Sequence, residues 1–419
     1  MNKRLLLALA LSAAVIGLTQ YFFPPPVPQK PAATQAAKAP AGAAAAIAAP
    51  GAATVAASQG VADSAVAAPA AIALDTATIR DRVATWRIAN TGAAPVSVSL
   101  PTHAALDANG KTSRAVELVR PGESLFSWQL VVKEPTGNRT IDFSKVPFAT
   151  EPVDPTTVRF RGTVQGVTLA VTYKFVADSF LARVGGEVTG LAGPAVLQVT
   201  LPSGLHSAEA DTLEDQRHYA VAVKPTRENA KSVAFADLEP GESELLAGPL
   251  TWAVSKSKYF VLGLLVMPGD RPFDEVQVTG GARTGKVESR VNAVVRQQLD
   301  GGRFRFELYT GPQEWKRLVA LGRDFENSNP YGGWLQGVVQ PFARLVTTSL
   351  LWMHESLRLE YGWVLVLFGI AIRLVLWPFN QKAMRSSMKM QAIQPELQAV
   401  QEKHKADPQR MQQEVMRVY

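Results

Sequence analysis

Residues 361–379 read YGWVLVLFGIAIRLVLWPF. These 19 residues approach the ~20 that a helix needs to cross a hydrocarbon core of roughly 30 Å. A single one is charged, Arg373. A charge inside a spanning helix costs at least ~2.5 kcal/mol. Such a residue either faces a bundle interior or water-filled cavity, which makes it a functional candidate, or snorkels to the headgroups. Arg373 lies six residues before Phe379, roughly 9 Å at 1.5 Å per residue, so depth alone leaves both readings open.

Beyond this span the chain turns polar. Residues 380–419 carry seven Lys or Arg and four Asp or Glu, a net of +3. Met390, Ile393, Leu397, Val400 and His404 follow 3-4-3-4 spacing, which is a heptad seam. Asp407 and Pro408 supply an N-cap and first-turn pair for a second helix, continued by Met411, Val415 and Val418. Pro395 should kink or restart the first helix. The spacing predicts an antiparallel helical hairpin over 380–419, with Tyr419 falling inside its second helix.

Upstream, residues 338–359 read VVQPFARLVTTSLLWMHESLRL. Phe342, Leu345, Val346, Leu350, Met353 and Leu357 recur at helical spacing, while Arg344, Thr348, His354 and Glu355 fall elsewhere. The pattern predicts an amphipathic helix lying in the membrane interface, anchored by Trp352. Before it, WKRLVALG within 311–329 predicts a short connecting helix, so 313–359 is read as a connector plus an interfacial helix.

From 72 to 312 the texture is β. Val96, Val98 and Leu100 alternate. So do Val167, Leu169, Val171, Tyr173 and Phe175 after Gln165-Gly166, then Tyr259, Val261, Gly263 and Leu265, then Phe304, Phe306 and Leu308. Period-2 runs bounded by turn residues, without intervening helical patterns, predict a large β-sandwich. Its histidines, His103, His206 and His218, lack metal-ligand spacing. Glu214, Asp215 and Arg217 beside His218 are read as a solvated loop rather than a pocket. Neither a nucleophile elbow nor a glycine-rich phosphate loop is present.

Residues 24–71 are almost wholly Ala, Pro, Gly, Val, Ser and Gln, a composition expected of a disordered tether. Residues 5–23 are uncharged and follow Lys3 and Arg4. A cleaved signal peptide is one reading. The length of the run, the absence of a small-x-small site after it, and Tyr21, Phe22 and Phe23 as an interface belt favour a retained span over 1–23. The whole chain has 419 residues, 47% hydrophobic, a net charge of +7 and no cysteine. That excludes disulfides and thiolate chemistry. Without a basic stripe or stacking aromatics, the positive excess points to membrane flanks rather than nucleic acid.

Basic residues precede the first span and Lys382, Arg385 and Lys389 follow the second. The positive-inside rule then places the N-terminus and the hairpin in the cytoplasm and the β domain outside, in the periplasm of a Gram-negative cell. Arg373 falls in the cytoplasmic half of its span.

Several stretches resemble a known family. GPQEW (311–315), YGGWL (331–335), QPFARL (340–345) and IRLVLWPF (372–379) are similar to the approach to, and body of, the second span of YidC-type membrane protein insertases. MKMQAIQPELQ (388–398) and DPQRMQQEVM (407–416) look like that family's cytoplasmic hairpin. Over the β domain the resemblance rests on architecture and order. It implies an inner-membrane protein with a periplasmic β-supersandwich and an insertase core, no enzyme and no cofactor. Arg373 would sit in a hydrophilic groove that attracts acidic segments of nascent membrane proteins. The ribosome and the Sec translocon would be further partners. The family carries further spans after the hairpin, and they are expected beyond residue 419. The same general topology also fits a two-span receptor with an external sensor domain and a cytoplasmic coiled coil.

Overall fold

The computed structural model describes residues 75–135, 137–284, 288–331, 335–378, 380, 381 and 384. The expected first span, the tether and, apart from its three described positions, the hairpin lie outside the described residues. So does Phe379.

Alternating apolar residues place the strands. β1 (Thr76–Arg80), β2 (Thr85–Ala89), β3 (Ala94–Leu106) and β4 (Thr112–Glu117) make a four-stranded antiparallel sheet in that order. The remaining strands join one larger sheet. They are β5 (Ser127–Glu134), β6 (Gly137–Asp142), β7 (Ala149–Asp154), β8 (Thr157–Val164), β9 (Val167–Phe175), β10 (Leu181–Thr189) and β11 (Ala195–Leu201). After these come β12 (Ala220–Pro225), β13 (Lys231–Ala234), β14 (Ser243–Lys256), β15 (Phe260–Val266), β16 (Phe273–Thr284), β17 (Glu288–Gln298) and β18 (Arg303–Pro312). The large sheet runs β6-β5-β11-β17-β16-β14-β15-β18-β10-β9-β8-β7, with β12 and β13 branching from β14.

Local chemistry fixes the hairpins. Gln165 and Gly166 both have positive φ, 51° and 78°, as the two-residue type I′ turn requires, and they set Val164 opposite Val167. Buried rings then close the sheet on itself. Trp128 of β5 lies 5.5 Å from Phe304 and 6.1 Å from Phe306 of β18, although five strands separate β5 from β18 along the sheet. The polar tips of this core are satisfied at one point. Trp128 Nε1 (3.2 Å) and Tyr173 Oη (2.6 Å) both donate to the Ala93 carbonyl. The result is the sandwich-like domain that the alternation predicts.

One alternating run reads differently in the fold. Every residue of β15 is buried, while Tyr259 precedes the strand and is exposed. The reason is a second cover. Helix α2 (Trp315–Leu321; α1 is Thr212–Gln216) and a 3-10 turn at Phe325–Asn327 pack on the outer face of the sheet. Phe325 is fully buried, edge-on to Trp252 (5.6 Å) and Tyr309 (5.7 Å). It seats over Gly263, where a Cβ would come within 2.6 Å of its ring. The connecting segment is therefore part of the β domain rather than a free link. Arg323 clamps it, donating to the Val266 carbonyl (2.7 Å) and pairing with the poorly exposed Glu307 (2.5 Å).

Beyond it lie α3 (Gln336–Leu357) and α4 (Tyr361–Pro378). α3 is one continuous helix despite Pro341 in its second turn, and it starts two residues earlier than the apolar pattern predicts.

Candidate functional site

α4 is the one described helix long and apolar enough to cross a membrane. Leucine, valine and isoleucine fill it, and its Gly362 and Gly369 leave open space at Cβ. Nearly the whole helix is exposed: Trp363, Leu374, Val375 and Trp377 are each at least 60% accessible, and only Val364 is buried. Arg373 stands on this exposed surface and makes no hydrogen bond or ion pair among the described residues. Gly369, Ile370 and Trp377, three and four positions away, share its face. An unpaired guanidinium beside a small residue, on an otherwise apolar helix, can accept a carboxylate in a fork of two hydrogen bonds.

α3 positions α4. A turn with Arg358 in the left-handed region (φ 51°) joins them. His354 Nδ1 reaches the Leu359 carbonyl at 2.7 Å, and its ring stacks on Tyr361 at 4.1 Å. α3 is pinned in turn. Arg344 pairs with Glu326 at 2.6 Å, Lys316 of α2 pairs with Glu355, and Gln336 Nε2 donates to the Ala230 carbonyl at 3.3 Å. Along the free side, Val338, Phe342, Leu345 and Trp352 form an exposed stripe. Sequence reasoning noted Arg344 and Glu355 as interruptions of the apolar pattern. Their partners were hidden because Lys316 and Glu326 belong to the connecting segment.

The β domain does not bring its histidines together. His103 packs 6.0 Å from both Phe180 and Phe260, and burial lowers its pKa. Burial likewise lowers that of His206, which sits near Arg114 and Glu117. His218 contacts Glu214 at 3.4 Å. Among the described residues no His, Asp or Glu cluster fits a metal ion. The solvated-loop reading of residues 214–218 needs correction at Asp215. It is buried, accepts from the Lys258 backbone N–H (3.0 Å), and lies near Tyr219 and Lys256. Asp211 caps the short helix α1 that turns this carboxylate inward.

Comparison with known proteins covers both halves. Residues 76–345 match the family model described as the YidC periplasmic domain, and residues 352–419 match that of the 60Kd inner membrane protein. A membrane protein insertase YidC from Chlorobaculum tepidum is 27% identical over 262 residues, covering 60% of this chain and 43% of that protein. The one from Anaeromyxobacter dehalogenans is 28% identical over 426 aligned positions, covering 100% of this chain and 75% of that protein. The chain thus spans less than half the length of the first of these relatives. Among solved structures, a galactose mutarotase-like protein from Lactobacillus casei is a distant likeness. It has 13% identity and a TM-score of 0.39, over 57% of this chain and 100% of that one. A β domain and an inner-membrane segment, matched in this order along the sequence, mean that the chain belongs to the YidC family of membrane protein insertases.

Proposed function

We propose that this chain is the anchoring and client-receiving part of an insertase that moves hydrophobic segments of nascent proteins into the inner membrane. One observation carries the reading: a lone, unpaired Arg373 on an apolar helix of spanning length. In lipid such a charge costs ~2.5–3.5 kcal/mol at the helix centre, so it persists where it meets water and a counter-charge. Arg373 recruits an acidic residue of the client. At 4 Å and an effective dielectric near 20 the attraction is about 4 kcal/mol. The client segment then slides into lipid, driven by burial of its own apolar side chains at ~25 cal/mol per Å², and its backbone satisfied as a helix. Neither cofactor nor covalent chemistry enters. The family membership does not favour the two-span receptor.

In this proposal residues 5–23 and 361–379 are spans, the β domain is periplasmic, and the N-terminus and the hairpin over 380–419 are cytoplasmic. α3 lies in the outer interface with its Val338–Phe342–Leu345–Trp352 stripe toward the acyl chains. Nascent membrane proteins are the clients, delivered by the ribosome or the Sec translocon. The groove around Arg373 is completed by spans that follow the hairpin. The test uses the full-length protein in cells depleted of their own insertase. Restored insertion of a single-span client with an acidic tail is expected, and failure to restore it at normal protein levels refutes the proposal.

A further inference from the structure

Strands β8, β9, β10 and β18 lie side by side, and their registers align two rows on the face away from the core. Arg159, Thr172, Gly185 and Arg305 form one row, and Arg161, Ala170, Glu187 and Arg303 the other. In the first row the middle positions, Thr172 and Gly185, are small; in the second they are Ala170 and Glu187. Gly185 leaves room even for a Cβ, whose closest neighbour would be Arg305 Cγ at 3.7 Å. The outer positions are arginines. The surface is therefore a trough of about 690 Å³, floored by Thr172, Gly185, Ala170 and Glu187 and walled by guanidinium groups. The loop before β16 and the end of β17 add Asp270, Arg271, Gln297, Gln298 and Asp300 to its rim. Five arginines against three carboxylates (Glu187, Asp270, Asp300) leave the lining at 5 − 3 = +2.

The arginines are available. Arg161 is exposed and has no ion-pair partner among the described residues, and Arg159 has only a loose one, Glu151 at 3.8 Å. Arg303 and Arg305 pair with Glu187 (3.5 Å) and Asp270 (2.5 Å). The Arg303–Glu187 pair is exposed on both sides, and such pairs are worth only ~0–1 kcal/mol, so an incoming anion exchanges with Glu187 readily, whereas the 17%-exposed Asp270 holds Arg305 more firmly.

We propose that this trough binds an extended acidic polypeptide segment. Its two arginine walls stand three strand spacings apart, about 14 Å. One phosphate or headgroup cannot engage both. Carboxylates four residues apart on an extended chain are separated by about 13 Å, and each can take an arginine fork. The backbone between them crosses the Thr172–Gly185 floor, whose small side chains let it approach closely. The site is separate from Arg373 and stands without the insertase reading.

The test is fluorescence anisotropy on the whole chain in detergent, with a labelled decapeptide alternating Glu and Ser. Binding is expected, weakening as salt rises. It should fall tenfold or more in the Arg159→Glu/Arg161→Glu double variant, and comparably in Gly185→Leu, which fills the floor without changing charge. Both changes are on the outer face, and unchanged thermal unfolding confirms that each variant is folded. Should the double variant misfold, Gly185→Leu carries the test. Equal binding of the peptide with Gln in place of Glu, or binding unaffected in the folded variants, overturns the proposal. So does displacement of the probe by inorganic phosphate or anionic phospholipid vesicles but not by unlabelled acidic peptide.

Discussion

Lys256, in β14, is buried, and its ammonium donates to the His218 carbonyl at 3.1 Å. Burial lowers its pKa from the ordinary 10.5 to about 8, against the opposing pull of nearby Asp215. Between these values the unfolded chain binds more protons than the folded one, so stability rises with pH across that window. Below pH 8 the cost of burying the charge is constant. Relative to Lys256→Met, the native chain should gain stability from pH 8 to 10.5, by no more than about 3 kcal/mol. Denaturant unfolding at both pH values checks this, and parallel stability curves for the two proteins would rule it out. Nothing in the sequence marks Lys256, because β12 and the loop at Asp215 do the burying. Arg373 is the opposite case, legible at once because a single charge stands in an apolar run. The arginines of the trough fall between. Arg159/Arg161 and Arg303/Arg305 each show period 2, but about 140 residues separate the pairs and only strand register joins them.

At the scale of elements, α2 and the Phe325 turn decide how the segment leading to α3 and α4 attaches to the β domain. Phe325 has no exposed surface, and its ring fills the notch over Gly263. Truncating a buried Phe typically costs ~3–5 kcal/mol, so Phe325→Ala should lower the unfolding free energy by about that much, read by chemical denaturation. A loss under about 1 kcal/mol would show the turn to be a peripheral flap. Arg323→Ala leaves the poorly exposed Glu307 with only its looser partner Arg183 at 3.5 Å and should cost roughly 1–3 kcal/mol in the same measurement. The helical pattern WKRLVALG was readable. Its docking was not, since the signals are a glycine in β15 and an unusually continuous apolar strand. Both explain themselves only when Phe325 is seen covering the second face of the sheet. α3 was legible as a helix from its apolar spacing, but of that pattern Val346, Leu350 and Met353 are half-buried, while the exposed stripe runs through Val338, Phe342, Leu345 and Trp352.

Across the whole molecule, alternation foretold a β-sandwich, while the order of fourteen strands in one folded sheet depends on long-range pairings such as β11 with β5 and β17. Periodicity carries no information about those partners. The proposed arrangement makes a topological prediction as well. Protease added to intact spheroplasts should cut within the region from β1 to β18 and leave the hairpin over 380–419 intact, and protection of the β domain would reverse the topology.

The electrostatic role of Arg373 is tested most directly by exchanging charge between insertase and client. In depleted cells expressing the full-length protein, Arg373→Ala should abolish insertion of an acidic-tailed single-span client. Arg373→Lys should retain part of it, since a point charge supplies most of the attraction. Arg373→Glu should fail with the acidic client yet insert one whose acidic residues are replaced by lysine. If Arg373→Ala inserts the acidic client as well as the native protein does, at equal protein levels, Arg373 is a snorkelling residue and not the client's counter-charge.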